Sequence, residues 1–354
     1  MDPSLNPLLL VAVIAVILSA AWLYFRRVRV ERPPVGVFNL RDIAFTFLVL
    51  VIIPPLYLEL PTLTVASVLV LTATSLTYFT VTPVLGRRAG SLTAVGLAIS
   101  EVAFSLWGNG QSTGFLVLND IAVAVLVIGV CNIWAQSGVR ARDVVVFACA
   151  VGVFDLVATW WMPLMTEFFT RVSALPFAPA LAVGTGDEGV VIGMGDLLFV
   201  VLWPLVTAKA FTRRAGLAAA AGTVGSVVAL SVAAMTGLFT TAVPAMFFIA
   251  PVILVQYLLF RRRHRTERTM GDYEESVQAP PAPPLADLRT ALALLNPERD
   301  GTTRCLAVHD GLVVAVGDSP GAAAKAAREK DPNADPVIVL AQGPEPSCST
   351  PDHR

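Results

Sequence analysis

Charge is the scarcest commodity in this chain. Asp, Glu, Lys and Arg make up 14% of its 354 residues, against about 25% in an ordinary soluble domain. Histidine and cysteine are rarer still. The four cysteines, Cys131, Cys149, Cys305 and Cys348, are scattered, with no C-x-x-C pair and no histidine nearby at metal-ligand spacing. They read as two core thiols and two tail thiols, so neither a metal centre nor a redox motif is expected. No basic stretch precedes the first apolar run, Leu8 to Phe25; its arginines follow it, which argues against a cleaved signal peptide. The net charge of −1 is spread unevenly. Nothing in it points to a nucleic-acid partner, and no cofactor is expected.

What the chain has instead is apolar length. Hydrophobic residues account for 55% of the sequence, and runs of about 17 residues or more, each able to cross a bilayer core, recur through its first three-quarters. The expectation is an all-α polytopic membrane protein with nine spanning helices at 8–25, 43–58, 63–84, 89–107, 115–134, 143–163, 188–208, 215–236 and 238–260. The second is short and interrupted by Pro54-Pro55. Basic residues orient these spans. One side receives Arg26, Arg27, Arg29, Arg32 and Arg41, then Arg87 and Arg88, Arg140 and Arg142, Lys209, Arg213 and Arg214, and finally Arg261, Arg262, Arg263, Arg265 and Arg268. The other side receives Arg171 alone. A miscounted span would mix the two sets, so the reading is a multi-pass protein of the cell membrane with its N-terminus outside and its C-terminal tail cytoplasmic.

Composition changes after Arg268. Asp272, Glu274 and Glu275 precede Pro280, Pro281, Pro283 and Pro284, an extended linker. Leucines 285, 288, 292 and 295 then have the spacing of a short amphipathic helix. From Cys305 to Ala341 the pattern is soluble: two apolar runs flank Asp310-Gly311, a hairpin signal, Ser319-Pro320 starts a helix, and Val337–Leu340 makes a last strand. His309, beside that turn, reads as a turn residue. The expected division is 1–265 for the membrane domain, 266–301 for the linker and 302–354 for a small soluble α/β (ββαβ) module with no catalytic constellation.

Acidic residues inside spans are costly, by about 3 kcal/mol on insertion scales. Glu101 and Asp120, the latter beside Asn119, are read as interhelical hydrogen bonding or water contact. Asp187-Glu188 falls at the outer mouth of the seventh span. Asp155 and Asp196 differ from these because their depths agree. Asp155 lies 13 residues beyond Arg142 and Asp196 lies 13 residues before Lys209, on helices of opposite direction. Each carboxyl is therefore about 20 Å along its helix from the inner end. Small residues share their faces: Gly189 and Gly193 with Asp196, and Ala148, Gly152 and Thr159 with Asp155. Two carboxyls brought within hydrogen-bond reach share one proton. One can then take a proton from water while the other protonates a peptide carbonyl.

Phe154-Asp155 in the sixth span, Gly193-Met194-Gly195-Asp196 in the seventh and Pro244-Ala245-Met246 in the ninth resemble the three motifs of the presenilin and signal peptide peptidase family. These are intramembrane aspartyl proteases of nine helices whose motifs read Tyr/Phe-Asp, Gly-x-Gly-Asp and Pro-Ala-Leu. The resemblance covers about residues 1–260 in architecture and about ten residues in motif. It implies that Asp155 and Asp196 are the catalytic pair, and that Gly193, Gly195, Pro244, Ala245 and Met246 shape the cleft that receives a transmembrane peptide within membrane lipid. Met246 replaces the family's leucine, and the loop after the sixth span lacks a presenilin-like insert. Gly184-Thr185-Gly186-Asp187 also matches Gly-x-Gly-Asp, but its depth places it at the outer surface with no partner. The sense of the sixth and seventh spans matches signal peptide peptidase, which implies substrates with a cytoplasmic N-terminus, such as leftover signal peptides. Two rivals stand beside this reading. One is a prepilin-peptidase-like protease, whose acidic pair lies near the cytoplasmic surface. The other is an ion- or proton-coupled transporter, which predicts an internal repeat that the sequence does not display.

Overall fold

A computed structural model of the chain describes residues 6–30, 40–107, 112–162, 164–183, 190–236, 243–264, 266–270, 273, 304–309, 312–317, 319–330 and 337–341. It divides into two compact units, Met1–Tyr273 and Glu274–Arg354.

In lipid every backbone polar group needs an internal partner, and a helix supplies one for each residue. The apolar runs accordingly form α1 (Asn6–Arg27), α2 (Leu40–Glu59), α3 (Thr62–Leu85), α4 (Arg87–Trp107), α5 (Thr113–Gln136), α6 (Ala141–Leu156) continued by a π-helical turn (Val157–Trp161), α7 (Leu164–Val172), α8 (Met194–Ala210), α9 (Arg213–Met235) and α10 (Ala245–His264). Eight of these, all but α7 and α8, are long and apolar enough to cross a membrane, the make-up of a multi-pass membrane protein. The second span is not broken at its prolines. α2 runs through Pro54-Pro55 as one helix of 20 residues, because neighbouring groups can satisfy the few backbone positions that proline frees.

α8 is the core of the unit. It is apolar on every side, the mark of a helix buried all round, and every residue from Phe199 to Ala210 is buried. It packs against α9, α5, α6, α10 and α1. Trp203 Nε1 donates to Gln256 Oε1 at 2.8 Å, and Gln256 Nε2 donates to Ala218 O at 2.9 Å, which ties α8, α10 and α9 together. A Cβ on Gly216 would meet Ala208 Cβ at 2.5 Å and Pro204 O at 2.9 Å, so α9 can approach α8 this closely only with glycine there.

Lys209, which the sequence places at the inner end of a span, is enclosed by protein. It is 2% exposed, and its Nζ donates to Ala135 O at 2.8 Å and Val139 O at 2.7 Å, at the C-terminal end of α5. A cation is favoured at a helix C-terminus, where unpaired carbonyls concentrate negative charge. Arg268 does the same for α8, with its backbone N–H on Ala210 O and its Nη2 on Ala208 O.

The seventh expected span, 188–208, is only partly helical. Val190–Gly193 is a strand, β2, paired antiparallel with β1 (Ala180–Val183) in the register Ala180↔Gly193 to Val183↔Val190. The β-branched run Val190-Val191-Ile192 suits a strand once a partner lies alongside. Helix α8 therefore begins at Met194, and Gly193 is its extended N-cap residue (φ −63°, ψ 142°). The expected common helical face of Gly193 and Asp196 does not exist, and Gly189 and the Gly184–Asp187 match lie outside the described residues. The ninth expected span, from 238, is helical from Ala245. Pro244, with no N–H to donate, sits just before the helix start.

The second unit is small. Strands β3 (Arg304–His309), β4 (Leu312–Gly317) and β5 (Val337–Ala341) form an antiparallel sheet in the order β4-β3-β5, and α11 (Pro320–Lys330) packs against it. Ala307, Ala315, Ala323 and Ala327 make its buried cluster. Ser319 Oγ accepts the Ala322 N–H and so caps α11. Of the expected linker, 266–301, residues 266–270 and 273 are described and belong to the first unit, while the rest, including the amphipathic helix 285–295, lies outside the described residues.

Candidate active site

Three helices bring the sequence-predicted residues to one place. Asp155 is in the last turn of α6, where the helix widens into the π-helical turn. Single π turns recur at functional sites because they re-aim side chains. The Asp155 carboxylate has two donors: Thr159 Oγ1 to Oδ1 at 3.2 Å, and the backbone N–H of Met246 to Oδ2 at 3.0 Å.

The second donor gives the Pro244-Ala245-Met246 motif a physical role. The first amides of any helix lack intrahelical acceptors, and the N-terminus carries partial positive charge. Pro244 starts α10 so that the Met246 amide is one of those unpaired donors, and Asp155 accepts it from 91 residues away in sequence. In effect Asp155 caps α10. Close approach makes this possible: a Cβ on Gly152, one turn before Asp155, would meet Ala250 Cβ and Met246 O, each at 3.1 Å. Gly152 and Thr159, singled out in the sequence as small residues on the Asp155 face, thus have separate tasks.

Asp196 lies in the first turn of α8, where a carboxylate complements the helix dipole, rather than in mid-helix. It is half-buried, as is Asp155, and it lies within electrostatic reach of Asp155, since α6 packs on α8. A Cβ on Gly193 would stand 3.0 Å from Asp196 Oδ2, so glycine there leaves room for the carboxylate. A Cβ on Gly195 would meet nothing within 4 Å, and Gly195 is exposed. It borders open space beside the aspartate.

The arrangement therefore places two carboxyl groups within electrostatic reach of each other, one oriented by a hydroxyl and a helix-terminal amide, the other at the start of a buried helix. Such a pair can share a proton and can activate a water molecule. Among the described residues no group of three or more His, Cys, Asp or Glu could hold a metal ion.

Sequence reasoning missed the hairpin that leads into Asp196. Its signal was present as two short apolar stretches, Ala180–Val183 and Val190–Ile192, separated by a glycine-containing segment. The apolar run of the expected span masked it. Sequence reasoning read Glu101 and Asp120, the latter beside Asn119, as interhelical hydrogen bonding or water contact, whereas their partners are main-chain groups of the non-helical stretch 177–182. Glu101 Oε2 accepts the Phe177 N–H, Asp120 Oδ1 accepts the Ala182 N–H, and Asn119 Nδ2 donates to Ala178 O and Ala180 O. None of the three belongs to the Asp155–Asp196 pair. Neither the protein-family models nor the curated proteins compared with this chain match it.

Proposed function

We propose that the protein is an intramembrane aspartyl protease that hydrolyses peptide bonds within transmembrane segments, using Asp155 and Asp196. The observation that carries this reading is the Met246 N–H to Asp155 hydrogen bond. It joins the Pro-Ala-Met motif to the aspartate pair, whereas a pair of proton-carrying carboxylates in a transporter would have no need of that motif.

In the reaction, one carboxylate takes a proton from water as the water oxygen attacks the scissile carbonyl carbon. The partner carboxyl donates its proton to the carbonyl oxygen, giving a gem-diol. Collapse breaks the C–N bond, with a proton passing to the leaving amine and the shared proton restored.

The substrate must be extended to expose its backbone, and the hairpin offers an edge for it. Ala180 and Ala182 turn their polar groups to α5. By the alternation of an antiparallel pair, Leu181 and Val183 bond to β2, and the far edge of β2 carries Val191 and Gly193. A peptide added there as a strand runs towards Asp196.

The membrane topology belongs to this proposal. α8 has 17 residues, about 25 Å of rise, and the four residues of β2 add about 13 Å. Together they exceed the roughly 30 Å hydrocarbon core and complete nine crossings. Arginine asymmetry then puts the N-terminus outside and the second unit in the cytoplasm. The substrates are peptides in membrane lipid whose N-terminus is cytoplasmic, such as signal-peptide remnants.

The test is cleavage of a transmembrane peptide by the purified protein. Wild type should cut it, Asp155→Asn and Asp196→Asn should not, and Asp187→Asn should cut it normally. Absence of cleavage by wild type in lipid, or full activity in Asp196→Asn, overturns the proposal.

A further inference from the structure

We infer that Glu101, Asn119 and Asp120 are positioning residues, which fasten the backbone of 177–182 to α4 and α5 and thereby hold the segment that carries Asp196. The kinetic consequence rests on the protease reading; the mechanical one does not.

Intramembrane polar residues are costly, and here each spends a hydrogen bond on the same stretch of main chain, although Glu101 Oε1 and Asn119 Oδ1 are themselves buried without a partner among the described residues. Glu101, fully buried, accepts the Phe177 N–H at 3.3 Å. Asn119, 4% exposed, donates to Ala178 O at 3.2 Å and Ala180 O at 2.9 Å. Asp120 accepts the Ala182 N–H at 2.8 Å. Ser105 adds a hydrogen bond to Ala174 O at 2.9 Å. Phe177 is the one described non-glycine residue with positive φ, 58°. A bulky residue keeps such a backbone only where its surroundings over-determine it.

The same stretch grips the start of α8. Pro179 O accepts the Met194 N–H at 2.9 Å, Ala180–Val183 pairs with Val190–Gly193, and Met194 packs against the cluster of Phe177, Ala73, Ala98, Ala122 and Leu126. Asp196 follows Met194 by two residues. The chain of contact thus runs from α4 and α5, through side-chain hydrogen bonds to the backbone of 177–182 and then the main-chain pairing of that stretch with 190–194, to the aspartate.

The chemistry required is an acceptor at 101 and 120 and a donor at 119, with no charge at any of them. Isosteric substitutions therefore have opposite outcomes at adjacent positions. Asp120→Asn and Glu101→Gln keep a carbonyl oxygen that accepts the backbone N–H. Asn119→Asp turns the donor into an acceptor that faces two carbonyl oxygens. A proton carrier would show the reverse pattern, losing function on every carboxyl-to-amide change.

Hydrogen–deuterium exchange on the full chain in detergent tests the mechanics without any activity. Peptides covering 177–183 and 190–198 should exchange faster in Asn119→Asp and Asp120→Ala and at the wild-type rate in Asp120→Asn. Cleavage of a transmembrane peptide should follow, with kcat lowered on the order of ten- to a hundredfold in the first two variants, KM little changed, and Asp120→Asn close to wild type. If Asp120→Ala does not fold, Asn119→Asp decides alone, because it leaves no cavity. Unchanged exchange at 190–198 in Asn119→Asp overturns the inference, as does loss of cleavage in Asp120→Asn equal to that in Asp120→Ala. A wild-type protein that cleaves nothing overturns the protease reading instead, and the exchange result still stands or falls by itself.

Discussion

Replacing Gly152 puts a larger side chain into a close contact between α6 and α10, and the effect on Asp155 follows from geometry. The added Cβ of alanine would lie 3.1 Å from Ala250 Cβ and 3.1 Å from Met246 O. Ordinary carbon contacts are about 3.5–4.0 Å, so the helices must part by about 0.5 Å. Leucine, with three more carbons, parts them by more than about 1 Å. The Met246 N–H to Asp155 Oδ2 distance is 3.0 Å. It becomes marginal in Gly152→Ala and is lost in Gly152→Leu, since N–H···O bonds weaken steeply beyond about 3.2 Å. A hydrogen bond to a charged group contributes about 1.5–3 kcal/mol, so Gly152→Leu should lower kcat/KM by about tenfold to a hundredfold, and Gly152→Ala by severalfold. The assay is cleavage of a transmembrane peptide by purified variants matched for thermal stability. Val153→Leu is the control, because Val153, in the same turn, is 64% exposed. A well-folded Gly152→Leu protein with wild-type kcat/KM would show that the α6–α10 approach does not orient Asp155, and the argument from the Pro-Ala-Met motif would go with it.

Lys209→Met keeps the buried stem but leaves Ala135 O and Val139 O without their charged donor. At about 1–3 kcal/mol for each of the two buried groups left unpaired, a loss of about 2–6 kcal/mol should appear in thermal or denaturant unfolding in detergent, and an unchanged midpoint refutes it. Protease added to intact cells should spare the C-terminal unit and digest it only after lysis; digestion without lysis reverses the orientation inferred from the arginines. Finally, one apolar segment flanked by basic residues at either end gives a pair of substrates of opposite direction. The one with a cytoplasmic N-terminus should be cut preferentially, and preference for the other refutes the substrate class while leaving the aspartate pair in place.

Much of the candidate site was legible in local sequence. Glycine or a small residue every third or fourth position around Asp155 marks a face that another helix can approach, and that is where α10 lies. The roles of those residues were less legible. Gly193 looked like a helix-packing glycine and is an extended N-cap residue that makes room for the Asp196 carboxylate. Lys209 looked like the marker of the inner end of its span, grouped with Arg213 and Arg214; its actual neighbours are carbonyls at the C-terminal end of α5.

The membrane-spanning character of the chain was determined by the sequence alone. Transfer of apolar surface depends on composition over a run of about 20 residues, and helix formation in lipid needs no partner beyond the segment itself. The tertiary structure decided whatever depends on a second segment. The run Val190–Gly193 is a strand and not the first turn of a helix because Ala180–Val183 lies beside it. The Pro-Ala-Met motif serves Asp155 through a backbone amide, a donor that every residue but proline possesses and that no residue pattern advertises. Depth set Asp155 and Asp196 apart in the sequence, but what Glu101 and Asp120 do was decided by their partners, main-chain groups 76 and 62 residues away. A carboxylate's cost in the membrane is a local quantity, but what offsets it is set by whichever segment the fold brings alongside.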